Sequence, residues 1–309
     1  MHFPLFMSKT VKSQKIYKID FFGREFPDGP AEEREPWLYL SYDHDSEGNL
    51  IQEISFTQAG EREQVASYTY DNKGMLASEK FIQEGDDFSE WREYVRDEQG
   101  NVVQEIHHFL DGSCDLVNYS YNESGKLLKK SYTNDDGDLE REETFLYENE
   151  KLIEDKVVSF SGDILDIQSY TYHENATISS HEQQTLEEDG TVKFSSFYDE
   201  SGNKIKTLRY NTKGHLVEIS KMFYDENNSL LRVEEETQAK KSVVDYELLE
   251  NKQFLKQTEK DEEGNVISSV SRRFDEEGRV LESMVFSEAS PYQAAQDYSL
   301  RYEYEFYTQ

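Results

Sequence analysis

The side chains that most often carry out chemistry are present in this sequence, but they are scattered. The 309 residues include seven histidines and a single cysteine, Cys114. His107 and His108 are adjacent in a predicted strand, so they point to opposite faces and cannot share a metal ion. One cysteine provides no zinc-binding spacing, and neither a GxxxxGK[ST] phosphate loop nor a GxSxG nucleophile motif occurs. We therefore expect no catalytic residues, no metal, no cofactor and no enzymatic activity.

One acidic stretch begins like a calcium-binding loop. The residues DHDSEGNL place Asp43, Asp45, Glu47 and Gly48 in the order that such a loop uses. A helix-loop-helix calcium site also needs a bidentate glutamate at its twelfth position, and that position holds Ile54. The stretch therefore predicts a turn rather than a calcium site.

Composition limits the partners that this chain can bind. Lys and Arg number 33 against 65 Asp and Glu, which gives a net charge of −32. Such a charge repels nucleic-acid backbones and anionic membranes, whereas it attracts a basic protein. The alternative is that the charge serves only to keep the protein soluble.

No apolar run approaches the ~18 residues of a membrane helix. The N-terminus carries no convincing secretory signal, so we expect a cytoplasmic protein, with export by a signal-less route as the alternative.

Hydrophobic residues make up only 35% of the chain, yet aromatic residues reach 13%, with 21 Tyr and 18 Phe. Acidic disordered chains are poor in aromatic residues, so this chain is expected to fold, around a thin core. A turn signal, Asp/Asn-x-x-Gly, recurs along it, with first spacings of 26, 26 and 25 residues. Its glycines include Gly48, Gly74, Gly100, Gly125, Gly202, Gly214, Gly264 and Gly278.

A second glycine series lies between these turns, so the chain turns about every 12 to 13 residues. Regular turns separated by β-branched and aromatic residues are typical of short antiparallel strands. Asp or Asn at the first turn position accepts backbone hydrogen bonds, and Gly at the fourth adopts the left-handed conformation. The pattern predicts one all-β meander of roughly 18 to 22 strands, forming an elongated twisted sheet, a spiral or an open barrel.

Tyrosine recurs at the strand end before these turns. The slot holds Tyr42, Tyr70, Tyr121, Tyr147, Tyr172, Tyr198 and Tyr224, with Arg96, Leu249 and Phe274 replacing tyrosine elsewhere. Because alternate turns share one edge of a meander, we expect these side chains to form a row, roughly 9 to 10 Å apart. Tyrosine can bury its ring and keep its hydroxyl hydrated, so the row is expected to cap the thin core. The alternative is a binding stripe for a protein partner, a peptide or a glycan.

The repeated motifs resemble a known family. YDNKGMLASEKF, YNESGKLLKKSY, YDESGNKIKTLRY and FDEEGRVLESMVF are similar to YD repeats, the units of RHS-repeat proteins, and the likeness spans roughly residues 39 to 287. It implies repeats of about 26 residues in two strands, within a long spiralling antiparallel sheet. Large members wrap such a sheet around a toxic C-terminal domain. This chain is too short for a large shell, and it shows no evident toxin domain.

The resemblance divides the chain into three parts. Residues 1–38 are predicted to form an N-terminal strand and capping loop, 39–287 the repeat array, and 288–309 a C-terminal cap and closing strand. We expect a non-enzymatic protein-binding or scaffold module, which the resemblance assigns to a bacterial toxin, secretion or defence system. The alternative is an acidic inhibitor, immunity protein or chaperone that sequesters a basic partner. The oligomeric state stays open.

Overall fold

A computed structural model describes residues 10–22, 32–85, 89–289 and 294–308. The predicted irregular segments at 21–37 and 289–298 lie partly outside these residues. The first strands are β1 (Val11–Phe22), β2 (Glu32–Glu33), β3 (Trp37–His44), β4 (Leu50–Phe56), β5 (Arg62–Tyr70), β6 (Leu76–Gln83), β7 (Ser89–Arg96) and β8 (Val102–His108). They are followed by β9 (Cys114–Tyr121), β10 (Leu127–Thr133), β11 (Leu139–Glu148), β12 (Lys151–Ser159), β13 (Ile164–Tyr172), β14 (Ile178–Glu187), β15 (Gly190–Tyr198) and β16 (Lys204–Tyr210). The last are β17 (Leu216–Tyr224), β18 (Leu230–Thr237), β19 (Lys241–Leu248), β20 (Phe254–Lys260), β21 (Val266–Phe274), β22 (Val280–Ser287) and β23 (Gln296–Phe306).

The antiparallel meander closes on itself. From β3 to β23 each strand pairs with the next one, and β1 pairs with both β3 and β23. Within the described residues, 22 strands therefore form a closed barrel, while β2 adds a short pair to the end of β1. The all-β meander is confirmed, but the expectation of an elongated, spiral or open sheet is wrong. Pairing β1 with β23 leaves none of the described wall strands with an unpaired edge, and unpaired edges are a liability that closure removes.

The barrel is wide, and its wall is one strand thick. Within the described residues each wall strand packs only against its two neighbours in the wall, apart from the short contact between β1 and β2. When the paired residues are followed from strand to strand once around the barrel, the path returns to β1 about 20 residues away from its starting residue. For 22 strands and a circular cross-section, this shift means that the strands tilt by ~32° from the barrel axis and that their backbones lie about 20 Å from it. The accessible surface is 20197 Å². A compact protein of 36.3 kDa exposes only about 13,000 Å², so the fold is hollow rather than compact.

The tyrosine-bearing face of the sheet is the inner one. In β9, Tyr119 and Tyr121 are half-buried, whereas Asn118 and Ser120 between them are exposed. In β23 the half-buried residues Tyr302, Tyr304 and Phe306 alternate in the same way with the exposed residues Arg301, Glu303 and Glu305. Side chains converge on the concave side of a closed sheet, so the more buried face of these two stretches is the inner one.

The turns follow the chemistry of their sequences. At Asp71, for example, the carboxylate accepts hydrogen bonds from the backbone N–H groups of Lys73 and Met75, at 2.8 and 2.9 Å. Gly74 closes this turn in the left-handed region, with φ at 75°. Asn228 adopts the same region with φ at 59°, and asparagine is a residue that tolerates it. The turn between β11 and β12 is shorter, because Asn149 and Glu150 are both left-handed there, at 47° and 67°.

Replacing Gly202 with alanine is expected to lower the free energy of unfolding by about 1–2 kcal/mol. Its φ is 86°, and a Cβ there would meet no atom of the described residues within 4 Å, so the loss comes from the backbone alone. Denaturant titration measures it, with Ser201→Ala in the same exposed turn as the control. Equal losses for the two variants would contradict the turn geometry.

The core is thin, as composition predicts. Ile19 is the largest fully buried side chain among the described residues, and it lies in β1 beside the seam with β23.

The sheet runs without a break across the predicted boundaries at 38/39 and 287/288, with β1 and β23 as wall strands. No helix among the described residues is long and apolar enough to cross a membrane.

Candidate functional site

The inner wall is the candidate site, and its tyrosines lie near one rim. We call this rim edge A; it carries the turns after β3, β5, β7, β9, β11, β13, β15, β17, β19 and β21. Tyr70, Tyr121 and the other predicted tyrosines line the wall just inside it. In the first hairpin His44 occupies the position next to the turn, so Tyr42 lies two residues further from the rim. Leu248 rather than Leu249 is the last paired residue of β19.

The tyrosines at edge A connect consecutive hairpins. Beside each of these turns the register shifts at a β-bulge, which disrupts the regular pairing of the strand that follows the turn. The next tyrosine along the chain donates its hydroxyl proton to the carbonyl of a bulge residue. The pairs are Tyr70 with Leu50 (2.7 Å), Tyr121 with Val102 (2.7 Å), Tyr172 with Leu152 (2.6 Å), Tyr224 with Lys204 (2.8 Å) and Tyr304 with Val280 (2.9 Å). Arg96 does the same for Leu76 at 3.0 Å.

Replacing Tyr121 with phenylalanine is expected to lower the free energy of unfolding by about 1 kcal/mol, because the carbonyl of Val102 loses its partner. Tyr147→Phe is the matched control. The Tyr147 hydroxyl makes no hydrogen bond within the described residues, although its ring contacts the Lys126 ammonium at 5.1 Å from the centroid. Thermal or denaturant unfolding of both variants measures the difference. A loss as large for Tyr147→Phe would show that the hydroxyl bonds do not stabilise the wall.

Turns at edge A also contact one another directly. The Asn175 side-chain amide donates to the carbonyl of Glu200 at 2.7 Å, and the Asn203 amide donates to the side chain of Asn228 at 2.8 Å. The Gln253 amide donates to the carbonyl of Gly278 at 2.7 Å. Together with the tyrosine bonds, these contacts make edge A a continuous hydrogen-bonded rim over much of its length.

Deeper in the barrel, a second set of tyrosines is bonded to carboxylates. Tyr94 donates to Glu79 at 2.8 Å, Tyr119 to Glu105 at 2.8 Å and Tyr132 to Glu143 at 3.1 Å. Burial, reinforced by these carboxylates, raises the pKa of Tyr94 and of Tyr132 to about 12. These tyrosines therefore stay protonated and act as hydrogen-bond donors at the inner wall.

The charged part of the inner wall includes a buried carboxyl group that is difficult to ionise. Asp155 is 8% exposed and lies beside Glu143, whose own carboxylate is paired with Lys130 at 2.8 Å. Burial, and then the charge of Glu143, raises the pKa of Asp155 to about 6. Two further inner carboxylates, Glu53 and Glu235, make no ion pair within the described residues. The wall therefore presents uncompensated negative charge to the interior.

The sequence did not single out these carboxylates, although it contains the signal that places them. Each turn fixes the register of its hairpin, and the turn at 71–75 sets Tyr68 directly opposite Glu79. The turns after β3 and β7 likewise set Tyr42 opposite Glu53 and Tyr94 opposite Glu105. Such pairs were obscured because acidic residues are abundant everywhere in the chain.

The stretch that begins like a calcium loop is a turn in the structure. Asp45 accepts hydrogen bonds from the backbone N–H groups of Glu47 and Asn49, each at 2.9 Å, and from the Asn49 side chain at 2.9 Å. The last of these bonds contributes most to lowering the pKa of Asp45. In the described ranges no group of three or more His, Cys, Asp and Glu side chains is arranged to hold a metal ion.

Comparison with known sequences does not assign a family: no family model matches the chain, and no curated protein matches it. The resemblance to YD repeats therefore stays a prediction.

Three solved structures are distantly similar in fold. The crystal structure of TcdB2-TccC3 has 11% identity and a TM-score of 0.30, covering 91% of this chain and 19% of its own. TcdB2-TccC3 without its hypervariable C-terminal region has 12% identity and a TM-score of 0.30, covering 82% and 18%. A porin-like protein from Bacteroides uniformis has 8% identity and a TM-score of 0.34, covering 96% and 98%. The chain thus spans about a fifth of the TcdB2-TccC3 chain.

Proposed function

We propose that this chain is a non-enzymatic scaffold that holds a protein partner against the inner wall of its barrel. The closed sheet carries the proposal: its tyrosine-bearing face points inward, and no strand of the described ranges packs across it. With the strand backbones about 20 Å from the barrel axis, the interior left inside the inward-facing side chains is wide enough for a polypeptide segment. Tyrosines and carboxylates together offer aromatic surface and hydrogen-bond acceptors to such a segment.

Protection of the wall from chemical modification tests this function. In a Cys114→Ser background, a cysteine replaces either Ser268, on the inner face of β21, or Ser271, on its outer face. Protein purified with its partner from the native host is labelled with a bulky maleimide. The partner is expected to protect the cysteine at 268 and not the one at 271, and removal of the partner restores labelling. Equal labelling of both positions in the complex would contradict a partner held inside.

A second candidate is sequestration of a basic protein, favoured by the net charge of −32 and by the unpaired inner carboxylates. Salt separates the two candidates. Charge-driven binding weakens steeply as ionic strength rises, whereas binding to aromatic surface persists. Co-purification at low and high salt therefore distinguishes a sequestered basic protein from a stably held partner.

A further inference from the structure

A cavity of about 280 Å³ opens on the wall between β4 and β7. Two rows of directly paired residues form its floor and sides. One row runs Glu53, Ala66, Phe81 and Glu90 across four neighbouring strands, and the other runs Ser55, Gln64 and Gln83. The cavity exists because the side chain of Ala66, between the larger side chains of Glu53 and Phe81, is small.

We propose that this cavity receives an arginine side chain of the protein partner, and this inference rests on the proposed function. The guanidinium would lie over Ala66, with the Glu53 carboxylate on one side and the Phe81 ring on the other. Among the described residues, no lysine or arginine lines the cavity. The site therefore offers an acceptor, a ring and space for a cation.

The charge of Glu53 is the first argument. Glu53 makes no ion pair within the described residues, and its charge contributes, after burial, to raising the pKa of Tyr42 and of Tyr68. It is therefore a carboxylate whose field is felt by two neighbouring tyrosines without a compensating cation. Glu90, at the far end of the row, is already paired with Arg92 at 3.3 Å. A cation entering the cavity is thus directed to Glu53.

The surroundings favour arginine over lysine. Phe81 is 38% exposed although it lies on the inner face, and it meets Tyr68 edge-on with ring centroids 6.3 Å apart. Its exposed ring can therefore be covered by a planar cation. Guanidinium is planar, stacks on aromatic rings and carries five N–H donors in a fixed plane, whereas ammonium is a strongly hydrated point charge. The amides of Gln64 and Gln83, which make no hydrogen bonds through their side chains within the described residues, provide further oxygen acceptors.

Peptide binding to the full-length protein tests the inference. The probes are a six-arginine peptide, a six-lysine peptide of equal charge and a six-citrulline peptide, which is uncharged but similar in shape. At physiological salt, Glu53→Gln is expected to weaken the arginine peptide at least fivefold. Glu235→Gln, which removes an unpaired inner carboxylate on β18, is the matched control and should weaken it less than twofold. Phe81→Leu should weaken the arginine peptide more than the lysine peptide.

The Ala66 methyl group gives a second, local readout. In a methyl-labelled sample its NMR signal is expected to shift on saturation with the arginine peptide and to stay unchanged with the citrulline peptide. Equal weakening by Glu53→Gln and Glu235→Gln, or an unshifted Ala66 methyl at saturation, would overturn the inference. Either result leaves the scaffold function standing if the cysteine at 268 is still protected by the partner, and loss of that protection contradicts the scaffold function itself.

Discussion

Replacing Ile19 with alanine is expected to lower the free energy of unfolding by about 3 kcal/mol, in the range seen when a buried isoleucine is truncated. Ile19 is fully buried, and it lies in β1 opposite Ser299 of β23. The substitution removes three buried carbon atoms at the seam that closes the sheet. In a wall one strand thick, few other contacts can compensate for that loss.

Denaturant titration measures the effect, with Ile164→Ala as its control. Ile164 is also in a strand but is 50% exposed, so its truncation should cost less than about 1 kcal/mol. Amide hydrogen exchange should also accelerate in β1, β3 and β23 of Ile19→Ala before it does elsewhere. Similar small losses for both variants would mean that the β1–β23 seam contributes little to stability.

Replacing Asp155 with asparagine is expected to stabilise the protein at pH 8, by on the order of 2 kcal/mol. The pKa of Asp155 is raised to about 6 in the folded protein, above its ordinary value of 3.8. Folding therefore takes up a proton between these two values, and the stability of the protonated form is lost as the pH rises through about 6. Asparagine stays neutral and can still donate a hydrogen bond to Glu143.

The pH dependence distinguishes this account from simple repacking. The advantage of Asp155→Asn should disappear below about pH 4, where the wild-type carboxyl group is protonated in both states. Asp136→Asn, in an exposed turn, serves as the control and should change stability little at either pH. An advantage of Asp155→Asn that is the same at pH 4 and pH 8 would contradict ionisation as the cause.

The hairpins could be predicted from the sequence because their signals are local. Asp71 and Gly74 lie three residues apart. The Asp71 carboxylate accepts the hydrogen bonds of the turn, and Gly74 adopts the left-handed backbone conformation. The alternation of Tyr119 and Tyr121 with polar residues likewise indicates a strand with one more buried face. Both inferences depend only on residues that are close in the chain.

Closure could not be predicted in the same way. Lys15 pairs with Glu303 across almost the whole length of the chain, and no local pattern indicates that contact. The sum of many small strand-to-strand offsets decides whether the last strand meets the first. Asp155 and Glu53 could not be predicted for a related reason, since their importance comes from neighbours on other strands rather than from a motif.

The tyrosine row combines a feature that local sequence predicts with one that depends on other strands. The turn pattern predicts that the row lies near one rim. The hydrogen bonds of its hydroxyl groups depend on β-bulges, such as the one at Leu50, whose carbonyl accepts a hydrogen bond from Tyr70. Where a tyrosine hydroxyl donates to the carbonyl of a bulge residue, it stabilises the wall itself. Binding by the row stays a prediction, and the deeper wall offers a partner the Glu53 carboxylate, which makes no ion pair within the described residues, and the partly exposed ring of Phe81.

The distance between β1 and β23 tests the closed barrel most directly. Spin labels at Lys15 and Glu303, paired and exposed residues on these strands, are introduced in a Cys114→Ser background. A closed barrel predicts a single short separation between the labels, below about 25 Å, since neighbouring strands lie ~4.8 Å apart. An open sheet of the same strands would separate its edges by up to roughly 100 Å. Labels too far apart to interact would contradict the closed wall and the enclosed interior on which the proposed function depends.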